Sequence, residues 1–153
     1  MIWIILILFV INIGIFLYRH HFSSFHKKFD KYIDTLGLPI VSYESNGRKF
    51  NFLVDTGSNL SHLKIGVGEK MKSTPLIKNH QSVITTGNGV VNHHGYYLVE
   101  LKSGNFTIHQ EFEVMDLEDT FNSWGVDVDG ILGVDFLTAN GYKLDFNTFT
   151  MYI

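Results

Sequence analysis

From Pro39 to the end of the chain, short runs of strand-forming residues alternate with turns built on Gly, Asn and Ser. This punctuation limits the possible folds more than any other feature. Successive side chains of a strand face opposite sides, and Asn-Gly between two such runs specifies a tight hairpin. Ile40-Val41-Ser42-Tyr43-Glu44 and Lys49-Phe50-Asn51-Phe52-Leu53-Val54 flank Ser45-Asn46-Gly47-Arg48 and are predicted to pair. Ser82 to Thr86 and Val90-Val91-Asn92 form a second predicted hairpin, with Gly87-Asn88-Gly89 as an exposed tip. Tyr96 to Leu101 and Phe106 to Val114 pair about Ser103-Gly104-Asn105, and Tyr142 to Phe146 and Phe149 to Ile153 alternate about Asn147-Thr148. Leu60 to Lys72 is mixed, with a short helix around Gly68 to Met71, and Asp116 to Asp127 is acidic and loop-like. Residues 38–153 are therefore expected to be one mainly β domain, a closed or folded-over β-barrel.

Hydrophobic residues make up 45% of the 153, with 13 Phe and 7 Tyr, which is enough for the core of one such domain. The formal charge of −3 argues against a nucleic-acid partner, which would need a basic face. The absence of cysteine excludes disulfides, thiolate metal sites and cysteine nucleophiles. None of the eight histidines falls in a ligand spacing such as His-Glu-x-x-His. His93 and His94, adjacent in a strand, face opposite ways and cannot share an ion. Neither metal nor cofactor is expected.

The N-terminus has a different character. Ile2 to Tyr18 is apolar apart from Asn12 and Gly14, and as a helix it extends about 25 Å, the short end of what spans a bilayer. The run is apolar all round, unlike a core helix, and it lacks the basic n-region and small-residue cleavage site of a signal peptide. Residues 1–18 are expected to be a retained single-pass transmembrane anchor, meeting lipid through residues 2–18. No Lys or Arg precedes the run, whereas Arg19, Lys27, Lys28 and Lys31 follow it, which places the remainder of the chain in the cytoplasm. Residues 19–37 read as a juxtamembrane linker containing a short amphipathic helix. Phe22, Phe25, Phe29, Tyr32, Ile33 and Leu36 form one stripe, with Ser23 or Ser24 to cap it and Gly37 to end it. That helix either lies at the membrane surface or packs on the domain behind it.

The residues that carry chemistry stand at the end of a strand. Phe52-Leu53-Val54 runs directly into Asp55-Thr56-Gly57-Ser58. A carboxylate there costs free energy unless it is hydrogen-bonded, paired or partly neutral, and groups held at such a cost often do chemistry. Taken alone, Asp55 is equally well read as a turn residue accepting local backbone N–H bonds. A second unusual stretch is Asp129-Gly130-Ile131-Leu132-Gly133-Val134-Asp135-Phe136-Leu137. In it, Ile131-Leu132 is a short buried strand between two glycines, and Val134 to Asn140 forms one or two helical turns ended by Gly141.

In chain order, strand-Asp-Thr-Gly-Ser, a glycine-tipped hairpin and Ile-Leu-Gly before a helical turn resemble the retropepsin-like (clan AA) aspartic proteases. Bacterial membrane-anchored, single-domain members look nearest, and the resemblance covers roughly Leu36 to Ile153. It implies that Asp55 is the catalytic carboxylate, that Thr56 fixes its loop to a partner's loop, and that Gly57 lets the backbone approach the catalytic pair. Thr86, Gly87, Asn88, Gly89 and Val90 would form the flap over a peptide substrate. Ile131, Leu132 and Gly133 would thread beneath the Asp55 loop. The Ser58 hydroxyl would reach the outer oxygen of Asp55 and shift activity to lower pH. Leu53, Ile84, Val90 and Ile131 would line apolar substrate pockets.

Aspartic proteolysis uses two carboxylates about 3 Å apart that share one proton, because like charges so close cannot both ionise. One takes a proton from water, and the other hydrogen-bonds the scissile carbonyl. The chain has one Asp-Thr-Gly, and Asp135 and Asp145 lack that context and read as structural. The second carboxylate would be Asp55 of another copy, in a homodimer with the site on its axis. Two copies held in one membrane would meet at raised effective concentration. The expected function is a membrane-anchored aspartic endopeptidase. The alternative is a non-catalytic module for dimerisation or for binding peptides by strand addition.

Overall fold

The computed structural model describes residues 26–29, 32–78, 84–86, 89–91, 93–122 and 125–153. Strands β2 (Ile40–Ser45) and β3 (Arg48–Val54) form the predicted hairpin. Its turn residues Asn46 and Gly47 have φ of 50° and 71°, the positive values that Asn-Gly tolerates and that match the twist of the flanking strands. Behind them come β4 (His62–Lys64), a 3-10 turn at Gly68–Lys70, β5 (Ser73–Leu76), and the long hairpin of β8 (His93–Ser103) and β9 (Phe106–Met115). Strand β10 (Gly130–Leu132) then inserts between β3 and β4, parallel to the first and antiparallel to the second.

The resulting order is β2-β3-β10-β4-β9-β8-β5, and a further pairing of Glu44 on β2 with Lys102 on β8 joins β2 to β8. The ring β2-β3-β10-β4-β9-β8 is therefore closed, as expected, and β5 hangs on the free stretch of β8. Closure removes the exposed edges that an open sheet would offer to other chains. The main core holds Tyr43, Phe52, Leu63, Val99, Leu101, Phe112, Leu132 and Phe136, all buried. Phe52 and Phe112 stack at 5.7 Å, and Phe136 meets the Tyr43 ring edge-on at 5.8 Å. The Tyr43 hydroxyl lies 3.0 Å from that of Tyr142, and burial pushes its ionisation far above the usual tyrosine range. A second core on the other face of β3 gathers Ile40, Leu53, Met115, Leu117, Phe121, Val126 and Val128. This explains the end of β3, where Phe52, Leu53 and Val54 are buried in succession instead of alternating.

Three parts of the sequence reading need correction. The amphipathic helix expected within residues 19–37 is interrupted, because His26–Lys28 is a strand, β1, paired with β12 (Thr150–Tyr152). Among the described residues of that stretch only α1 (Tyr32–Leu36) is helical, ended at Gly37 (φ 69°), whose N–H bonds the Ile33 carbonyl at 3.1 Å. Pairing satisfies the edge of β12, Phe29 N–H extends it by bonding the Phe149 carbonyl at 2.9 Å, and the Phe29 side chain is buried in the main core. These tertiary gains override a helical period. Next, β4 lies within Leu60 to Lys72, the stretch read as mixed, and β5 follows directly after it. Finally, α2 (Glu118–Asn122) is a short helix within the stretch read as an acidic loop. The 3-10 turn and the helix α3 (Val134–Ala139) fall where expected.

The predicted anchor, Ile2 to Tyr18, lies outside the described residues. Among the described residues, no helix is long and apolar enough to cross a membrane.

Candidate active site

The β2–β3 hairpin delivers Asp55 to the end of β3, where the carboxylate is half-buried and Thr56 and Gly57 are exposed. Gly57 N–H donates to Asp55 Oδ1 at 2.8 Å, and Ser58 N–H donates to the Asp55 carbonyl at 3.2 Å. Asp55 therefore initiates the turn, and its carboxylate is held at a partly accessible place. Two backbone N–H groups aimed at and around one residue fix its orientation without further side chains. An added Cβ on Gly57 would lie 3.1 Å from Asp55 Oδ1, so the glycine keeps room for the carboxylate.

The loop rests on β10 and the start of α3. Asp55 N–H bonds the Leu132 carbonyl at 3.0 Å, continuing the parallel pairing of Leu53 with Ile131 and Val54 with Leu132. Val134 N–H donates to the Ser58 carbonyl at 2.8 Å and Asp135 N–H to the Asn59 carbonyl at 3.2 Å. Gly133 sits between them, where a Cβ would lie 2.4 Å from the Leu60 carbonyl oxygen and 2.8 Å from that of Ser58. Leu132, Gly133 and Val134 thus form a shelf beneath the Asp55 loop.

Three residues that the sequence reading did not assign to the site secure the shelf. Ser61 Oγ donates to Asp135 Oδ1 at 2.7 Å and accepts Gly133 N–H at 3.1 Å, while Gln110 Nε2 donates to Asp135 Oδ2 at 2.8 Å. Asp135 is structural, as expected, and its structure is that of the site. A polar residue following Ile-Leu-Gly-Val was the available signal. Asp145 is structural in a different way. The Thr148 side chain, and then the N–H groups of Asn147 and Thr148 that Asp145 accepts, hold its carboxyl below the usual range.

Ser58 does not do what the resemblance implied. Its hydroxyl donates to the Leu60 carbonyl at 2.7 Å and so closes the loop on itself instead of reaching Asp55. Leu53 is 7% exposed and packs in the second core, so of the four expected pocket residues it is a wall from behind at most. Ile131 is half-buried beside it. The candidate flap is a hairpin of β6 (Ile84–Thr86) and β7 (Gly89–Val91), with Thr86 opposite Gly89 and Thr85 opposite Val90. Its tip residues Gly87 and Asn88 lie outside the described residues.

One buried ionisable pair adjoins the loop. His62 and Glu113, paired across β4 and β9, are 6% and 2% exposed, with His62 Nδ1 3.6 Å from Glu113 Oε2 and without a hydrogen bond of its own. Burial lowers the His62 pKa from 6.5, against the raising influence of Glu113, Asp135 and Asp55. The unfolded chain then binds the proton more readily than the fold does, so stability is complete above about 6.5 and falls as the pH drops below it. His62→Gln should flatten that dependence, checked by comparing thermal midpoints at pH 7 and pH 5 for both proteins. Among the described residues, no three His, Asp or Glu side chains converge to hold a metal ion.

A closed barrel carrying Asp-Thr-Gly on an Ile-Leu-Gly shelf defines a retropepsin-like protein. Residues 41–136 match the aspartyl protease family, and the chain belongs to that family. The protease of EIAV, solved with the inhibitor HBY-793, is 25% identical and superposes with a TM-score of 0.53 over 71% of this chain and 93% of that one. A retropepsin-like aspartic protease from Rickettsia conorii is 16% identical, with a TM-score of 0.49 over 85% of this chain and 90% of that one. A retrovirus-related Pol polyprotein from the Drosophila melanogaster transposon 412 is 27% identical over 105 residues, 69% of this chain. The chain spans 8% of the length of that polyprotein.

Proposed function

We propose that the protein is an aspartic endopeptidase whose active site forms from Asp55 of two copies, each held in a membrane by residues 1–18. The observation that carries the reading is the Asp55 loop. Its carboxylate is oriented by Gly57 N–H and backed by Leu132 and Gly133, while Thr56 and Gly57 remain exposed. Such an arrangement presents one carboxylate outward and, among the described residues, includes no second Asp-Thr-Gly to pair with it. A second copy completes the dyad, in which one carboxylate deprotonates water and the other, protonated, donates to the scissile carbonyl. The β6–β7 hairpin would close over an extended peptide. The anchor and the cytoplasmic placement of the domain rest on the apolar run and its trailing basic residues.

Asp55→Asn tests this. Cleavage should fall by at least about a thousand-fold, while thermal stability and self-association are retained. Specific activity of the unaltered protein should also decline on dilution into the monomeric range. A chain that binds peptide equally well with Asp or Asn at position 55, and never cleaves it, is a binding module instead.

A further inference from the structure

The terminal strands form a small sheet outside the barrel, in the order β1-β12-β11, with β11 spanning Lys143–Asp145. Its registers put His26, Tyr152 and Lys143 in one row, Lys27, Met151 and Leu144 in the next, and Lys28, Thr150 and Asp145 in the third. Alternate rows of a sheet face opposite sides. The middle row faces the barrel, where Met151 is fully buried and Lys27 reaches Ser103 Oγ at 2.8 Å with its ammonium 3.9 Å from the Tyr43 ring centre. Burial, then the nearby Lys49, lowers the Lys27 pKa to about 8.

The outer rows therefore present His26, Lys28 and Lys143 around Tyr152. His26 stacks on the Tyr152 ring at 5.3 Å, and the Lys143 ammonium lies 5.8 Å from the same ring. Asp145 contributes the one acidic side chain of these rows, and its carboxylate is engaged by the Asn147–Thr148 turn. Basic residues around an aromatic ring are the composition of a bilayer interface.

We propose that this outer face lies against an anionic bilayer surface, the same membrane that holds the N-terminus. The inference rests on the anchor reading above. Seven residues, 19–25, separate the apolar run from β1, and fully extended they reach about 25 Å. A chain anchored through residues 2–18 therefore keeps this sheet within that distance of the headgroups. The lysines would contribute attraction to acidic lipid, with Tyr152 at headgroup depth.

The chain contains no cysteine, so Thr150→Cys in the full-length protein accepts a single environment-sensitive fluorophore on this face. In vesicles of phosphatidylcholine with phosphatidylserine, the label should shift to the blue and be quenched by lipid-borne quenchers. A label at Lys102→Cys, on the barrel, should stay aqueous. Lys28→Gln and Lys143→Gln should each lower the ratio of shielded to aqueous label at 150 about five-fold while the protein still co-floats, and added salt should lower it too. Protein that co-floats with vesicles while the label at 150 remains aqueous overturns the surface and leaves the anchor standing. Protein that does not co-float removes the anchor reading and the surface together. Shielding that appears in detergent and rises with protein concentration assigns the face to a second copy and overturns the proposal. Because the readout does not involve cleavage, it is independent of the protease reading.

Discussion

Gly133→Ala is expected to abolish cleavage and to destabilise the fold by roughly 2–4 kcal/mol, more than a single added methyl costs at most buried positions. Gly133 has φ −87°, an ordinary value, so its requirement for glycine comes from space and not from conformation. The new Cβ would sit 2.4 Å from the Leu60 carbonyl oxygen, 2.6 Å from the Leu60 carbonyl carbon and 2.8 Å from the Ser58 oxygen. These are backbone atoms and cannot rotate away. The loop from Ser58 to Leu60 must lift, which breaks the bonds from Val134 to Ser58 and from Asp135 to Asn59 that set the height of Asp55. Gly57→Ala is the informative control, because its new Cβ meets only the Asp55 carboxylate at 3.1 Å. It should reorient that carboxylate and lower cleavage while leaving the thermal midpoint nearly unchanged. Measuring both quantities for both variants checks the account. If Gly133→Ala unfolds no more easily than Gly57→Ala, the shelf does not carry the loop.

The parts of this architecture that were legible in the sequence are those fixed by local chemistry. Asn46-Gly47 specified its hairpin because few other dipeptides tolerate two successive positive φ values, and the hairpin placed Asp55. Gly130 and Gly133 marked β10 because the chain passes close to other backbone on both sides of Ile131-Leu132. A Cβ on Gly130 would lie 2.3 Å from the His62 carbonyl oxygen. What stayed hidden depends on partners remote in sequence. His26–Lys28 carries a helical period and becomes a strand because the edge of β12 lies alongside it. Strand β4 is three residues long and owes its existence to β10 and β9 on its two sides. The Ser58 hydroxyl had two acceptors within plausible reach, and only the turn geometry chose the Leu60 carbonyl over Asp55. Gln110 could not have been linked to Asp135 from spacing, since the barrel must close before the two meet.

The Asp135 network makes the second large expected effect, and it separates positioning from bulk stability. Asp135→Ala removes the acceptor for the Ser61 hydroxyl and for Gln110 Nε2, on residues that are 1% and 6% exposed. Hydrogen bonds to a charged group contribute about 1.5–3 kcal/mol each, so a loss of roughly 3–4 kcal/mol is expected, discounted because Asp135 itself is only half-buried. Asp135→Asn keeps one acceptor for Gln110 and offers an N–H to Ser61 Oγ, so it should cost nearer 1 kcal/mol. The consequence for cleavage follows from Ser61, which also accepts Gly133 N–H. With Asp135 gone, the Ser61 hydroxyl is free to rotate, the shelf loses its register with Ser58, and the Asp55 loop loses its fixed position at the end of β3. Ser61→Ala should lower turnover in the same way, and the double variant should be less impaired than the two losses added together, by about 1–2 kcal/mol of coupling. Asp145→Ala, which undoes only an exposed turn, should leave turnover intact. A thermal and kinetic cycle on Ser61 and Asp135 decides the matter: strict additivity in turnover would mean that the two side chains act on the fold separately, and not through one support beneath Asp55.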